Sequence, residues 1–198
     1  MPKAVITAVK VAVIAVLVSG IYETMTLPVP PHLEHGGNWQ FLTNLSLIAT
    51  TVYVVLDVIQ FNSTFLIYFH HLCGNLEFVV TVTYWTLIIL FPEMLNSDSF
   101  DVSLSLDLKI HFLPYLVLLL FYRKPLISFG QSFLLSVVSM LGYWAWIEYL
   151  VHTDPQSRYP YPFLNGLGLA DRSVWFVSLI ARSTINYLLE WAKSSILD

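Results

Sequence analysis

Charged side chains are scarce in this sequence. Lysine and arginine together number 9, aspartate and glutamate 13, and the four types make up 11% of the 198 residues, whereas a soluble domain carries about 25%. No basic patch is present, so we expect no nucleic-acid partner. The deficit of charge indicates a protein whose surface faces lipid.

Cysteine is almost absent as well, since Cys73 is the only one in the chain. A disulfide within the chain is therefore excluded, and so is a cysteine-rich metal site. A lone cysteine among apolar neighbours is typical of a small packing residue.

Apolar residues are abundant: they make up 57% of the chain, and the mean hydropathy is +0.70. Six apolar stretches have roughly the length that crosses a bilayer. They run over residues 4–22, 39–60, 76–91, 108–122, 127–151 and 171–191. Proline, glycine, asparagine or aspartate interrupts the chain between them, and Asn38 is a plausible N-cap for the second stretch. The sequence predicts an all-α fold: a polytopic membrane bundle of about six transmembrane helices forming one domain over residues 1–198.

Basic residues in the short loops predict the orientation. With six spans, Lys3, Arg123, Lys124 and Lys193 fall on one side of the membrane, and most loop carboxylates fall on the other. Cytosolic loops are enriched in lysine and arginine. We therefore expect both termini to be cytosolic, and the sequon at Asn62 to stay unmodified because it lies on the same side.

Polar side chains inside the spans recur at helical spacing. Those of the second span are Thr43, Ser46, Thr50, Tyr53 and Asp57, those of the fifth are Ser132, Ser136, Ser139, Tyr143 and Trp146, and those of the sixth are Ser178, Arg182, Asn186 and Glu190. Such stripes are expected to face the bundle interior. For the serines and threonines, packing between helices is the ordinary explanation. Arg182 has two open readings: an ion pair with Asp57, Glu77 or Glu190, or a site for an anionic ligand group.

Depth brings one threonine and one histidine together. Thr43 and His111 each lie about one turn into a span that starts at the same membrane face, which puts both about 5 Å below it. An imidazole beside a threonine can take the hydroxyl proton as the oxygen attacks a carbonyl. A histidine that is merely packed in the bundle is the competing explanation.

Three segments carry a resemblance to a known family. They are residues 35–43 (HGGNWQFLT), residues 107–114 (DLKIHFLP), and His152 followed by residues 161–164 (YPFL). With these segments and the order and spacing of the six spans, nearly the whole chain resembles the androgen-induced-gene family of membrane proteins, also called the FAR-seventeen-a family.

The resemblance implies a function. Members of that family are threonine hydrolases of fatty acid esters of hydroxy fatty acids, and the family's nucleophile falls on Thr43 and its base on His111. Thr43 would attack the ester, an acyl-enzyme would form, and water would release the acid with His111 again as base. The reaction requires no metal and no organic cofactor. The resemblance also favours the endoplasmic reticulum membrane over the plasma membrane.

Further residues are candidates for binding the substrate or the oxyanion. Because backbone N–H groups within a helix are already bonded, side chains are the expected oxyanion donors. The candidates are Asn38, Trp39, Asn44, His152, Tyr161 and Arg182. His152 either borders the site or faces solvent, and Asp107, one turn from His111, is a candidate for orienting it.

Two other functional classes compete with the hydrolase. A non-enzymatic lipid-binding or transport protein would use the same polar stripes as a path, with Thr43 merely packed; the chain lacks the evident inverted repeats of many transporters. A haem protein would need histidines paired across helices at mid-membrane depth, but only His111 falls within a predicted span. His70 and His71 are expected in a loop on the face opposite Thr43. Expected partners are thus a lipid ester and the bilayer.

Overall fold

The computed structural model describes residues 3–61, 63–95, 103–120 and 127–197. This part of the chain contains seven α-helices and no strand. The helices are α1 (Lys3–Thr26), α2 (Leu42–Val58), α3 (Thr64–Leu90), α4 (Leu104–His111), α5 (Leu113–Leu120), α6 (Phe129–Thr153) and α7 (Leu169–Leu197). The prediction of an all-α fold is confirmed.

Polar contacts join the ends of consecutive helices. They pair Lys10 with Asp57 (α1 and α2), Tyr84 with Asp107 (α3 and α4) and Glu148 with Arg172 (α6 and α7). In each pair one residue lies near the start of its helix and the other near the end. These neighbours therefore run antiparallel, as in a bundle whose chain passes up and down.

Among the described residues, three helices are long and apolar enough to cross a membrane, judged by length and composition alone: α1 over Ala4–Thr26, α3 and α6. Helix α2 is also apolar but shorter, with 17 residues. The described chain is thus a helical membrane protein in which shorter apolar helices pack among long ones.

The third predicted span begins too late. Helix α3 starts at Thr64, whereas the sequence indicated 76, so His70 and His71 are buried on α3 and not in a loop. Two predictions were therefore wrong: that His111 is the only histidine within a span, and that His70 and His71 lie in a loop. A polar run can continue a buried helix when other helices supply its partners, as Glu190 Oε2 does at 3.1 Å from His71 Nδ1.

The fourth predicted span is broken. Helix α4 ends at His111, Phe112 leaves the helical conformation at φ −132°, and α5 begins at Leu113. Pro114 explains the break, because its ring lacks an N–H and collides with the carbonyl four residues earlier. Arg123 and Lys124, which carried part of the orientation argument, lie outside the described residues.

The second predicted span starts too early. Residues 37–40 form a short 3-10 turn, and α2 begins at Leu42 with Phe41 as its N-cap, in extended conformation. Asn38 is therefore not the N-cap. The remaining three helices extend beyond the predicted spans at both ends, except that α6 begins at Phe129 and not at Ile127.

Most members of the polar stripes face inward, as predicted, but Trp146 of the fifth-span stripe is exposed on α6. Buried members include Ser46, Thr50, Tyr53, Asp57, Ser132, Ser136, Tyr143, Asn186 and Glu190. Four residues of α3 and α7 form what we call the inner polar cluster: His71, Asn75, Asn186 and Glu190. Within it the Asn186 amide donates to Asn75 Oδ1 at 2.9 Å. Hydrogen bonds between helices thus satisfy groups that lipid could not.

Candidate active site

A cavity of about 390 Å³ opens at the end of the bundle where α1 and α3 finish and α2, α4 and α7 begin. The residues that line it are mostly apolar. Its polar lining is Thr24, Asn38, Thr43, Asn44, Thr83, Tyr84, Asp107, His111, Tyr143 and Tyr161. Thr43 and His111, which the sequence places at similar depth, therefore line the same cavity.

Thr43 is the second residue of α2. Its carbonyl accepts a hydrogen bond from Ser46 Oγ at 3.1 Å. Inside a helix a threonine hydroxyl commonly bonds the carbonyl one turn back, but at this position the preceding turn is not α-helical. Within the described ranges the Thr43 hydroxyl has no hydrogen-bond partner, which leaves it available to a molecule in the cavity.

His111 is held between a tyrosine and a carboxylate. Its ring stacks on that of Tyr84, with centroids 3.4 Å apart and planes 4° from parallel. Its Nδ1 lies 3.5 Å from Asp107 Oδ1, and the Tyr84 hydroxyl donates to that same oxygen at 2.6 Å. The contact places Nδ1 on the Asp107 side, so Nε2 is the nitrogen left for the cavity.

Three predicted side chains border Thr43. Asn38 Nδ2 donates to Met25 O at 3.1 Å, and Asn44 Nδ2 donates to Asn38 O at 2.9 Å. The Tyr161 hydroxyl accepts from the N–H of Leu42 at 3.3 Å. Burial raises the pKa of the Tyr161 phenol, so that group keeps its proton and can act as a donor. The two asparagines mainly fix the loop ahead of α2.

The backbone near Thr43 differs from the sequence-based expectation. Because α2 begins at Leu42, the N–H of Thr43 belongs to the first turn, where no helical carbonyl precedes it. The N–H groups of Asn44 and Leu45 bond Phe41 O, at 3.1 and 3.2 Å, but in the described chain that of Thr43 has no such acceptor. The expectation that every backbone N–H group of the helix is already bonded to a carbonyl was therefore wrong for Thr43.

Two predicted site residues do not reach the cavity. Trp39 is 52% exposed, and its carbonyl accepts from the Trp146 indole N–H at 3.3 Å. His152 is exposed on the surface of α6, with Nδ1 2.8 Å from Glu148 O. Neither residue lines the chamber that holds Thr43 and His111.

Arg182 lies in an annex beside the cavity. A second hollow of about 150 Å³ is lined by Thr83, Thr86, Leu87, Phe91, Met94, Trp175 and Arg182. Three of these residues, Thr83, Leu87 and Trp175, also line the main cavity.

The acidic partners that the sequence suggested for Arg182 are engaged elsewhere. Asp57 pairs with Lys10, Glu77 accepts from Thr50, and Glu190 contacts His71. The structure thus rules out the ion pair proposed for Arg182 with any of these three.

Tyr84 is the site residue that the sequence did not reveal. It contributes both the ring under His111 and the hydroxyl on Asp107. Near the end of a span, a tyrosine ordinarily indicates a membrane interface, so no pattern distinguished it. Within the described residues, no cluster of three or more histidine, cysteine, aspartate or glutamate side chains could hold a metal ion.

Comparison with known proteins settles the family. The family model described as FAR-17a/AIG1-like protein matches residues 5–192. The chain belongs to the FAR-17a/AIG1-like family. The resemblance drawn from residues 35–43, 107–114 and 161–164 is thereby confirmed, and the FAR-17a/AIG1-like match includes both Thr43 and His111.

A relative of this FAR-17a/AIG1-like chain is the UPF0641 membrane protein YHR140W of Saccharomyces cerevisiae. The two are 26% identical over 201 residues, which cover 88% of this chain and 83% of the yeast protein. That name describes a membrane protein and gives no activity. No solved structure matches the chain.

Proposed function

We propose that this protein is a membrane-embedded hydrolase of lipid esters, with Thr43 as nucleophile and His111 as general base, and that its substrates are fatty acid esters of hydroxy fatty acids. The observation that carries the proposal is that Thr43 and His111 line one cavity, with Asp107 behind the histidine. A nucleophile, a base and a group that orients the base are the recurring parts of acyl-transfer sites.

In the first half of the reaction, Thr43 Oγ attacks the ester carbonyl carbon and its proton moves to His111 Nε2. The tetrahedral intermediate then collapses, the bond between carbonyl carbon and ester oxygen breaks, and His111 returns the proton to the departing hydroxy acid. Asp107 accepts from Nδ1–H and stabilises the imidazolium while it exists. The fatty acyl group remains on Thr43.

In the second half, water attacks the acyl carbon and passes a proton to His111. Collapse of this intermediate releases the fatty acid and restores the Thr43 hydroxyl. The position of the pair near the end of the bundle, where several helices terminate, supports access of water. Charge on the carbonyl oxygen would be met by the Thr43 N–H and the Tyr161 O–H, the two donors beside the nucleophile.

The apolar walls of the cavity support a lipid substrate. Val79, Val80, Leu179 and Phe176 line it together with other large apolar side chains. An acyl chain gains free energy by leaving water for such a surface, at about 25 cal/mol per Å². A branched lipid ester would place its carbonyl among the few polar side chains and its chains against the rest.

The test is covalent labelling of the purified protein with a fluorophosphonate ester probe. Thr43→Val and His111→Gln should abolish labelling. Thr51→Val is the matched threonine control, since Thr51 lies two turns further along α2 and its hydroxyl bonds only the Leu47 carbonyl, at 2.8 Å. His152→Gln is the matched histidine control, and both controls should label like wild type.

The same variants should be assayed for release of hydroxy fatty acid from a branched ester. A wild-type protein that is folded, accessible to the probe, and neither labels nor hydrolyses would refute the hydrolase. That result would favour the non-enzymatic lipid-binding or transport alternative, because the apolar cavity would still be present.

We also propose the endoplasmic reticulum as the membrane in which this protein resides. The support is the family resemblance together with the membrane location of the relative. Fractionation of cells, or imaging of a tagged full-length chain against markers for the reticulum and the plasma membrane, tests it. Staining confined to the plasma membrane would exclude it.

A further inference from the structure

We propose that the annex around Arg182 is a carboxylate subsite that fixes the free acid end of the substrate and so selects lipid esters that carry a second, anionic group. This inference rests on the proposed hydrolase only for its catalytic consequence. The anion site itself stands on the surroundings of Arg182.

Arg182 is a cation without a countercharge in the described part of the chain. Its Nη1 donates to Thr83 Oγ1 at 3.2 Å, and its guanidinium carbon lies 5.2 Å from the centre of the Trp175 ring. A hydroxyl and an aromatic face orient a guanidinium without neutralising it. Since a charged side chain within the hydrocarbon layer costs several kcal/mol unless it is paired or hydrated, the arrangement suits a partner that arrives from outside the protein.

The direction of the side chain brings the charge toward the cavity. Side chains on a helix lean toward its N-terminus, and the N-terminal end of α7 is the end that lines the main cavity. The contact with Thr83 agrees, because the next residue on α3, Tyr84, stacks on His111. Arg182 thus reaches the level of the reacting pair although its backbone lies deeper.

The annex is small and largely apolar apart from its cation. Its volume of about 150 Å³ adjoins the main cavity through Thr83, Leu87 and Trp175. The guanidinium offers a planar pair of donors that matches the two oxygens of a carboxylate. Room for a carboxylate and a short length of chain favours a fatty acid terminus over a bulky phosphodiester headgroup. Binding at this point would hold the ester of a branched lipid in the larger chamber.

The first experiment compares two substrates that differ in one group. One is a branched ester with a free carboxylate, and the other has that carboxylate converted to a primary amide. Arg182→Met should reduce kcat/KM for the acid by about tenfold or more, as loss of a charge-assisted hydrogen bond predicts, and should leave the amide within about twofold. Arg182→Lys should fall between, since a lysine keeps the charge and loses the planar fork.

Arg158→Met is the matched control, because Arg158 is an arginine in the loop before α7 whose Nη1 donates only to the carbonyls of Pro155 and Ser157, at 3.5 and 3.1 Å. It should hydrolyse both substrates like wild type. An equal loss on acid and amide in Arg182→Met would mean that the residue is structural and would overturn the subsite, as would no loss on either.

A second experiment measures binding without turnover, so that the subsite and the hydrolase can fail separately. Long-chain fatty acid with a photoreactive group is crosslinked to wild type, Thr43→Val and Arg182→Met, and competed with unlabelled acid, amide or lysophosphatidic acid. Crosslinking that survives in Thr43→Val and drops tenfold in Arg182→Met supports the subsite even if no ester is hydrolysed. Equal competition by acid and amide overturns it, and stronger competition by the phosphate lipid overturns its assignment to carboxylates.

Discussion

Tyr84 provides the sharpest test of how His111 is held. Tyr84→Phe removes the hydroxyl that donates to Asp107 Oδ1 at 2.6 Å and retains the ring that stacks on His111 at 3.4 Å. A hydrogen bond to a charged group contributes about 1.5–3 kcal/mol. The hydroxyl holds the Asp107 carboxylate on the Nδ1 side of His111, and without it the carboxylate can turn away as the imidazolium forms. Tyr84→Phe should therefore slow labelling by fluorophosphonate by up to about 10- to 150-fold, and it should also lower the melting temperature, because the bond is already made in the resting protein.

Two companion variants complete this prediction. Asp107→Asn keeps the shape but offers an amide where the histidine needs a carboxylate, so the loss should be larger, roughly 10³-fold or more. Tyr115→Phe is the matched control. The Tyr115 hydroxyl donates to Oδ1 of Asn186, a member of the inner polar cluster, at 3.0 Å, and Tyr115 does not line the cavity. The measurement is the second-order rate constant for labelling of each variant by the fluorophosphonate probe. If Tyr84→Phe labels as fast as Tyr115→Phe, the hydrogen bond to Asp107 does not position the base.

Three further predictions concern stability and topology. Asn186→Ala leaves Asn75 Oδ1 without its 2.9 Å partner; it should lower the free energy of unfolding by about 0.6–2 kcal/mol and spare labelling, as a thermal melt beside the probe assay will show. Gly36→Ala would place a Cβ 2.6 Å from Leu150 Cδ1 and should destabilise by about 1–3 kcal/mol; an unchanged melting temperature would contradict this packing. Asn62, outside the described residues, should carry no glycan in cells, and a mobility shift on glycosidase treatment would reverse the predicted orientation.

Hydropathy and spacing made much of the fold predictable. Each predicted span overlaps a helix, because the length of an apolar run reflects the thickness of a bilayer. The inward stripe of α2 could be predicted because Ser46, Thr50, Tyr53 and Asp57 recur every three or four residues and lipid does not tolerate them outside. Matched depth indicated that Thr43 and His111 could meet, and both line one cavity.

Tertiary partners decided what the sequence could not. The first turns of α3 resemble a loop because His70, His71 and Asn75 are polar, and the helix is favourable there because α2, α6 and α7 supply their partners. The role of Tyr84 depends on a ring from a different helix lying parallel to it, which has no periodic signature. The free N–H of Thr43 depends on where α2 begins, and helix boundaries are the least predictable part of a pattern.

Helix α1 has a consequence for how the protein is assembled as it emerges from the ribosome. It is long, apolar and little buried against the other helices, so it can insert alone. Its polar partners appear much later: Asp57 follows Lys10 by 47 residues, and Lys109 follows Glu23 by 86. Until α4 is synthesised, Glu23 has no cation to bind. Helix α1 is thus synthesised well before one of its polar contacts can form, and the wall that it contributes to the cavity through Thr24 is completed only when α4 is present.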